Sequence, residues 1–415
     1  MGKNFKKYMS NTPKLCLYPF TNLTVNPTGT VTPCCKYNLN KADTAIDQET
    51  LYDKTIEELF FQPAMNSIRE QFINGEQPAA CAVCWDEEAS GIKSLREHRM
   101  ELMKNRNHKP KYKDKFNDPN IITLDFKFSS LCNLKCRICG PYCSSTWLKE
   151  SQDTGNFHEH TIKIFSKYAE RKFINRPENF EIFKKLLPNL HVVEFYGGEP
   201  LMQPEHKIIM NLIKECVDKQ PIGLELFYNT NGTHYDEDAV EVWKKLYAVE
   251  INISLDDIGD RFEYQRYPAK WDDVFVNLIK YRALTNDLLR TSLYCTVSLY
   301  NIFYIDQLIK YNANNLKMLM RFNLLHWPSG MSIKNLPNNV KNIVAGKIKA
   351  LTTEELSYLE NSDDLTSMVN FMMSNPANEQ EYAEFLATTK KHDDYRQQSF
   401  ERTFPEFWSM LNDGN

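Results

Sequence analysis

The chain has 415 residues and a mass of 48.6 kDa, room for two or three domains and a large core. Its 50 Lys and Arg against 54 Asp and Glu give a net charge of −4, which excludes both an overall basic field for nucleic acid and a polyanionic tail. With 42% apolar and 25% charged residues the composition is ordinary for a globular protein, but 11 cysteines are too few for a small disulfide scaffold and many for a cytosolic chain that makes no use of them.

The start, MGKNFKKYMS, is polar and basic with no apolar stretch behind it, so no secretory signal is expected. Lys6 breaks the myristoylation pattern that Gly2 would begin. No apolar run approaches the roughly 18–20 residues of a membrane span. A cytoplasmic location with reduced thiols is the expectation, and it favours metal binding over disulfides.

In chain order, residues 1–103 carry two thiol-rich loops around helical stretches. Thr55 is placed to cap a helix over IEELFF, and Pro63 to start another that ends at Gly75. Residues 104–118 are basic, contain Pro110 and lack apolar periodicity, which reads as a linker. Residues 119–330 alternate strand-like and helix-like segments. The strand-like runs are 121–128, 191–196, 224–229, 249–255, 291–299 and 317–325; helix-like segments at 203–218, 236–247, 271–285 and 303–313 lie between them. This is the pattern of an α/β domain with a parallel sheet and crossover helices. An insertion at about 150–190 holds helical segments of its own. Residues 331–415 are polar and helix-prone, with starts near Thr353, Ser362, Pro376 and Pro405, and read as a helical C-terminal extension.

Nine of the 11 cysteines fall within the first 143 residues, a clustering that core packing would not produce. Cys132, Cys136 and Cys139 form C-x3-C-x2-C directly after the first strand of the α/β segment. That is the carboxyl end, where parallel α/β folds place their chemistry. Three thiolates hold an iron–sulfur cluster with one iron left open, whereas zinc wants a fourth ligand. Gly197-Gly198-Glu199-Pro200 ends the second strand. Only 14 glycines occur, against roughly 29 at an average of about 7%. Yet Gly140, Gly197, Gly198 and Gly232 all sit at strand-to-loop junctions.

The cysteine spacing followed by GGEP resembles the radical S-adenosylmethionine (SAM) superfamily over about residues 119–328. The resemblance implies a partial (β/α)6 barrel and a [4Fe–4S] cluster on Cys132, Cys136 and Cys139. It implies SAM contacts from Gly197, Gly198, Glu199 and Pro200, and further contacts from Asn231, Ser254, Val297 and Ser298, for which capping or turn roles are the alternative. Ile138 departs from the family pattern, which has an aromatic residue there. The implied chemistry is reductive cleavage of SAM to a 5′-deoxyadenosyl radical, with an electron from an external one-electron reductant such as flavodoxin or ferredoxin.

Cys16, Gly29-x4-Cys34, Cys35 and Cys81-x2-Cys84 resemble the auxiliary-cluster modules called SPASM and twitch, here preceding the barrel. The resemblance implies a second [4Fe–4S] cluster on Cys16, Cys34, Cys81 and Cys84, with Cys35 as the alternative to Cys34 and zinc as the alternative metal. Cys143 reads as a substitute ligand or a plain buried thiol, and Cys216 and Cys295 as core. Arg266 reads first as a surface arginine, with the barrel mouth as its other placement. No catalytic acid or base is assigned. The implied substrate is a peptide or protein; a nucleobase or nucleotide, suggested by the basic arm and the abundant aromatics, is the alternative, and a non-catalytic zinc or iron–sulfur protein the third reading. The oligomeric state is not legible.

Overall fold

The computed structural model describes residues 14–38, 41–42, 50–89, 93–105, 121–169, 176–374, 376 and 378–412. The linker expected at 104–118 lies almost wholly outside them. The strands are β1 (Asn22–Val25), β2 (Val31–Thr32), β3 (Thr123–Phe126), β4 (Val192–Phe195), β5 (Glu225–Thr230), β6 (Ala248–Ser254), β7 (Leu289–Val297) and β8 (Leu319–Leu324). The last six match the six apolar runs read from the sequence. The chain divides into two compact units, one of residues 1–129, 167–227 and 238–248, the other of residues 130–166, 228–237 and 249–415.

In the first unit β1 pairs parallel with β3, and β3 with β4, while β2 runs antiparallel to β1. The N-terminal segment was expected to be loops and helices; instead it contributes strands. NLTV is only four residues long, too short for alternation to announce it. Leu23, Val25, Leu124, Phe126, Val193 and Phe195 are all buried, and Phe126 and Phe195 stack at 6.1 Å. Thr55 caps the helix Ile56–Phe60 as expected, in a reciprocal capping box with Glu58. Asn179 holds the same turn from the far side. Its Oδ1 accepts the Ile56 N–H at 3.0 Å and its amide donates to the Leu51 carbonyl at 3.1 Å. The helix Pro63–Ile73 packs Ile68 and Phe72 against Leu15, Leu17 and Ile122.

In the second unit β6, β7 and β8 are parallel, with Ser254 opposite Tyr294 and Val297 opposite Leu324. The expected α/β class with a parallel sheet therefore holds. The C-terminal extension is helical: Asn338–Lys349, Thr353–Leu356, Asp363–Met373, Glu379–Arg396, Phe400–Thr403 and Pro405–Asn412. The first of these was not anticipated. The helix expected at Pro376 starts instead at Glu379, because Asn378 supplies the cap: its Oδ1 accepts the N–H of Gln380 and of Glu381. Aromatic edges fasten the extension down. Tyr264 meets Phe404 at 5.1 Å, Tyr300 meets Phe385 at 5.0 Å, and Phe303 stacks on Phe407 at 5.1 Å.

The helix Glu379–Arg396 also carries charge into the interior. Asp393 accepts from Arg137 at 2.5 Å and from the Tyr264 hydroxyl at 2.7 Å, and the Arg137 side chain is fully buried. Removing one partner of such a pair leaves the other charge stranded, at a cost of about 3–5 kcal/mol. Asp393→Ala is therefore expected to lower the thermal midpoint by several degrees, whereas Asp394→Ala, one residue on and paired only with the exposed Lys390, should leave it nearly unchanged. Equal midpoints for the two variants in a thermal melt would remove the buried pair from the account.

Candidate functional site

The loop after residue 130 is built by backbone bonds on both sides. Lys135 N–H donates to the Tyr267 carbonyl at 2.6 Å and Arg137 N–H to the Gln265 carbonyl at 2.8 Å. The Trp147 indole donates to the Cys136 carbonyl at 3.2 Å. These bonds fix the backbone on which the thiols stand. Cys136 and Cys139 lie within hydrogen-bonding reach of each other, and Cys139 within reach of Cys143. Cys132 and Cys136 are buried, Cys139 and Cys143 partly so. The Cys136 thiol is pushed up first by its contact with Cys139 and then by burial.

Asn231 reaches this loop. Its amide donates to Asn133 Oδ1 at 2.9 Å and points at Cys132 Sγ at 3.7 Å. Beside it Gly232 has φ +77°, and a Cβ there would stand 2.9 Å from Ile253. Ser254 ends β6 with its side chain half-buried. Val297 is fully buried, and Ser298 closes a turn in which its hydroxyl accepts the Tyr300 N–H at 3.3 Å and its own N–H donates to Asn301. Cys295 is core, as read.

Arg266 corrects the sequence reading. It is not on the surface but 5% exposed, with Nη1 4.0 Å from Cys136 Sγ and Nη2 2.7 Å from Asp256. Asp256 is held in turn by the Thr296 N–H at 2.9 Å. A buried guanidinium beside clustered thiols favours their ionised form. Further charges back the loop. Glu150, fully buried, takes Lys135 at 2.9 Å, Arg396 at 2.9 Å and His392 Nδ1 at 2.9 Å. Asn156 Nδ2 lies 3.1 Å from His392 Nε2, and burial lowers the ring's affinity for a second proton. The sequence offered one signal for this: Lys135 and Arg137 flank Cys136 directly. Their partners, 15 to 261 residues away, gave none.

In the first unit Gly197 and Gly198 follow β4 with φ +72° and +57°. A Cβ on Gly197 would lie 3.0 Å from Lys127 Cβ, so only glycine lets the backbone turn so close to the neighbouring strand. Glu199 is fully buried and its Oε1 accepts the Leu201 N–H at 3.2 Å, with Pro200 opening the short 3-10 turn.

The same unit gathers the other thiols. Cys16, Cys34, Cys81 and Cys84 line one pocket with Tyr18, Phe72 and Arg96; Cys35 does not line it. Main-chain N–H groups of Tyr18, Lys36 and Arg96 point at the sulfurs of Cys16, Cys34 and Cys84. Burial pushes all four thiols up, Cys81 to about 12. Four desolvated thiols aided by N–H donors are a donor set that a cationic cluster would hold as thiolates. Among the described residues no three His, Cys, Asp or Glu close tightly enough to grip a single ion.

Comparison with known proteins agrees with these two constellations. Residues 126–305 match the family model of the radical SAM superfamily, and residues 16–85 match that of the SPASM iron–sulfur cluster-binding domain. No curated protein matches. Among solved structures, the chain is similar to native anSMEcpe with bound AdoMet and Cp18Cys peptide, at 16% identity over 55% of this chain and 58% of that one (TM-score 0.35). It is also similar to Streptococcus suis SuiB bound to S-adenosylmethionine, at 15% identity over 71% and 62% (TM-score 0.33), and to TYW1 with a lysine-pyruvate adduct bound, at 16% over 52% and 68% (TM-score 0.28). The chain thus spans less than two thirds of the anSMEcpe and SuiB chains it matches. The matched segments, 126–305 to a radical SAM domain and 16–85 to a SPASM domain, are of kinds that imply [4Fe–4S] clusters and, for the first, SAM. No helix among the described residues is long and apolar enough to cross a membrane.

Acid should loosen the backing of the cysteine loop. Glu150 is held down to about 2, against desolvation, by His392, Arg396 and Lys135, and burial lowers His392. Below pH 6.5 the unfolded chain takes up a proton that buried His392 resists; between 4.5 and 2 it takes up one that Glu150 resists. Both effects remove stability as pH falls, that of Glu150 being about 3 kcal/mol. Thermal midpoints measured from pH 7 to pH 4 should fall, and Glu150→Gln should flatten the profile below pH 5; an unchanged slope would contradict the assignment.

Proposed function

We propose that this chain is a radical SAM enzyme that cleaves SAM reductively and uses the resulting 5′-deoxyadenosyl radical to abstract hydrogen from a peptide or protein. The observation that carries the reading is buried Arg266 beside Cys136, whose thiol lies within reach of Cys139, in a segment that matches the radical SAM model. Cys132, Cys136 and Cys139 would hold a [4Fe–4S] cluster, which when bound supplies one electron to SAM and leaves an iron open for it. Gly197, Gly198 and Glu199 would receive the amino-acid end of SAM, and Asn231, Ser254, Val297 and Ser298 its remainder.

The chain's own part is placement. Arg266 stabilises the thiolates, Asp256 holds Arg266, and the Lys135–Glu150 and Arg137–Asp393 pairs fix the loop. Cys16, Cys34, Cys81 and Cys84 would hold a second cluster with no open site, suited to passing electrons or organising the fold rather than binding substrate. The SPASM domain supports the peptide class, because the resemblance associates such modules with peptide substrates. The electron would come from an external flavodoxin- or ferredoxin-type donor. No observation on the described residues favours the nucleobase reading; the basic arm that suggested it lies outside them.

Anaerobic reconstitution with iron and sulfide, followed by dithionite and SAM, should release 5′-deoxyadenosine. Cys132→Ala, Cys136→Ala and Cys139→Ala are each expected to abolish release; survival of cleavage in any of them would overturn the ligand assignment. Cys81→Ser should lose roughly half of the bound iron, since one cluster of two would go. Cys35→Ser should keep all of it, and iron content by chelation assay distinguishes the two. Zinc in place of iron, with no SAM cleavage, would sink the reading.

A further inference from the structure

The second unit holds an open cavity of about 480 Å³, a size usual for a ligand site, that none of the proposed SAM contacts lines. Its walls include Cys139, Tyr142, Phe157, Trp327, Met331 and Phe385. Gly140 lets two of these rings close on the cysteine loop: a Cβ there would stand 2.7 Å from both Phe157 and Tyr142. Trp327 is the outermost of the six, 59% exposed, with its ring 5.1 Å from that of Tyr142 at 60°. The loop that presents it is braced against the helix Glu379–Arg396. The Asn335 amide donates to the Ser329 carbonyl and to Glu381 Oε2, both at 2.8 Å. The Met331 carbonyl accepts the Leu299 N–H at 3.0 Å, and a Cβ on Gly330 would stand 3.1 Å from the Glu381 carbonyl oxygen.

An indole held in water by a braced loop, at the edge of an aromatic cavity, has the character of a recognition anchor. The charges around the cavity narrow its occupant. Arg137 reaches the wall, but its guanidinium is committed to Asp393, Gln398 and the Tyr264 carbonyl. Glu384 is the one carboxylate among the described lining residues, and it is exposed, where solvent screens it. Neither a cation nor an anion finds a dry counter-charge here. The rings of Tyr142, Phe157 and Trp327 reward another ring beyond the area it buries, through edge-to-face and offset contacts. We propose that the cavity is a subsite that anchors an aromatic side chain of the peptide substrate beside the cysteine loop. This rests on the peptide-modifying reading above and gives it a specificity: the substrate carries Phe, Tyr or Trp close to the residue modified. Tyr142, Phe157 and Trp327 are binding residues here, with no part in SAM cleavage.

The test is photocrosslinking of the reconstituted holoenzyme under anaerobic conditions, which needs no SAM turnover. The probe is a blocked tripeptide Gly-Bpa-Gly, where Bpa is p-benzoylphenylalanine. On irradiation its ketone takes a hydrogen from a neighbouring C–H and the two carbons join, leaving a carbinol. Mass spectrometry of the digested adduct should place the link in the peptides that carry Met331 or Trp327. Blocked Gly-Phe-Gly should suppress this adduct at roughly one fifth of the concentration that blocked Gly-Leu-Gly needs. Trp327→Ala, checked for wild-type iron content, should lower the yield roughly fivefold, and Trp327→Phe should restore most of it. Adducts confined to other parts of the chain would overturn the subsite. So would equal suppression by the two competitors, or an unchanged yield in Trp327→Ala. If that variant fails to load iron, the wild-type competition decides alone. Ordinary 5′-deoxyadenosine release together with a failed crosslinking result would discard the subsite and leave the radical SAM reading standing. Absence of release would strike at that reading instead.

Discussion

The cysteine loop depends on one constraint: the residues that separate its thiols carry full positive charges into a dry interior. Arg137 is fully buried and Lys135 half-buried, and the buried guanidinium is not tolerable there without a fixed partner. Glu150 and Asp393 supply the partners, His392 and Arg396 complete the network around Glu150, and Tyr264 lies under the Arg137 guanidinium at 3.6 Å. The loop thereby acquires a single conformation. The C-terminal helix Glu379–Arg396 is not an appendage to it but the source of half its counter-charges. The thiols gain from the same economy, because Arg266 sits among them already neutralised by Asp256 and so adds field without adding net charge.

The two thiol groups are prepared in different ways. The C-x3-C-x2-C loop is held by side-chain ion pairs and a buried arginine. The four thiols of the first unit are served chiefly by main-chain N–H groups, with Arg96 turned mostly to Glu88, which it grips with two bonds of 2.8 and 2.7 Å. Dipoles of the backbone cannot be titrated away, so that second arrangement changes little with pH. The first contains Glu150 and His392, which can be.

What the sequence made legible was the chemistry that local spacing controls. C-x3-C-x2-C, GGEP and Asn231-Gly232 each depend on neighbours a few residues away, and the six apolar runs that became β3 to β8 stand out by β-branched and aromatic content. Cys34 rather than Cys35 faces the pocket, in line with the choice made from the sequence. The losses have a common cause. β1 is a four-residue strand whose existence depends on β3, a hundred residues on; Arg266 is buried because Asp256 and Cys136 receive it; the helix at Glu379 begins where Asn378 caps it rather than at Pro376. Each is decided by tertiary partners that a linear pattern does not display.

The pairing of Arg137 with Asp393 spans 256 residues of chain. On a ribosome adding roughly 5–20 residues per second, the acid emerges about 13–50 s after the base it must neutralise. Throughout that interval the cysteine loop has its sulfurs but not the counter-charge of Arg137, whose guanidinium is better off in water than inside. Burial of Arg137 therefore waits until Asp393 has been made.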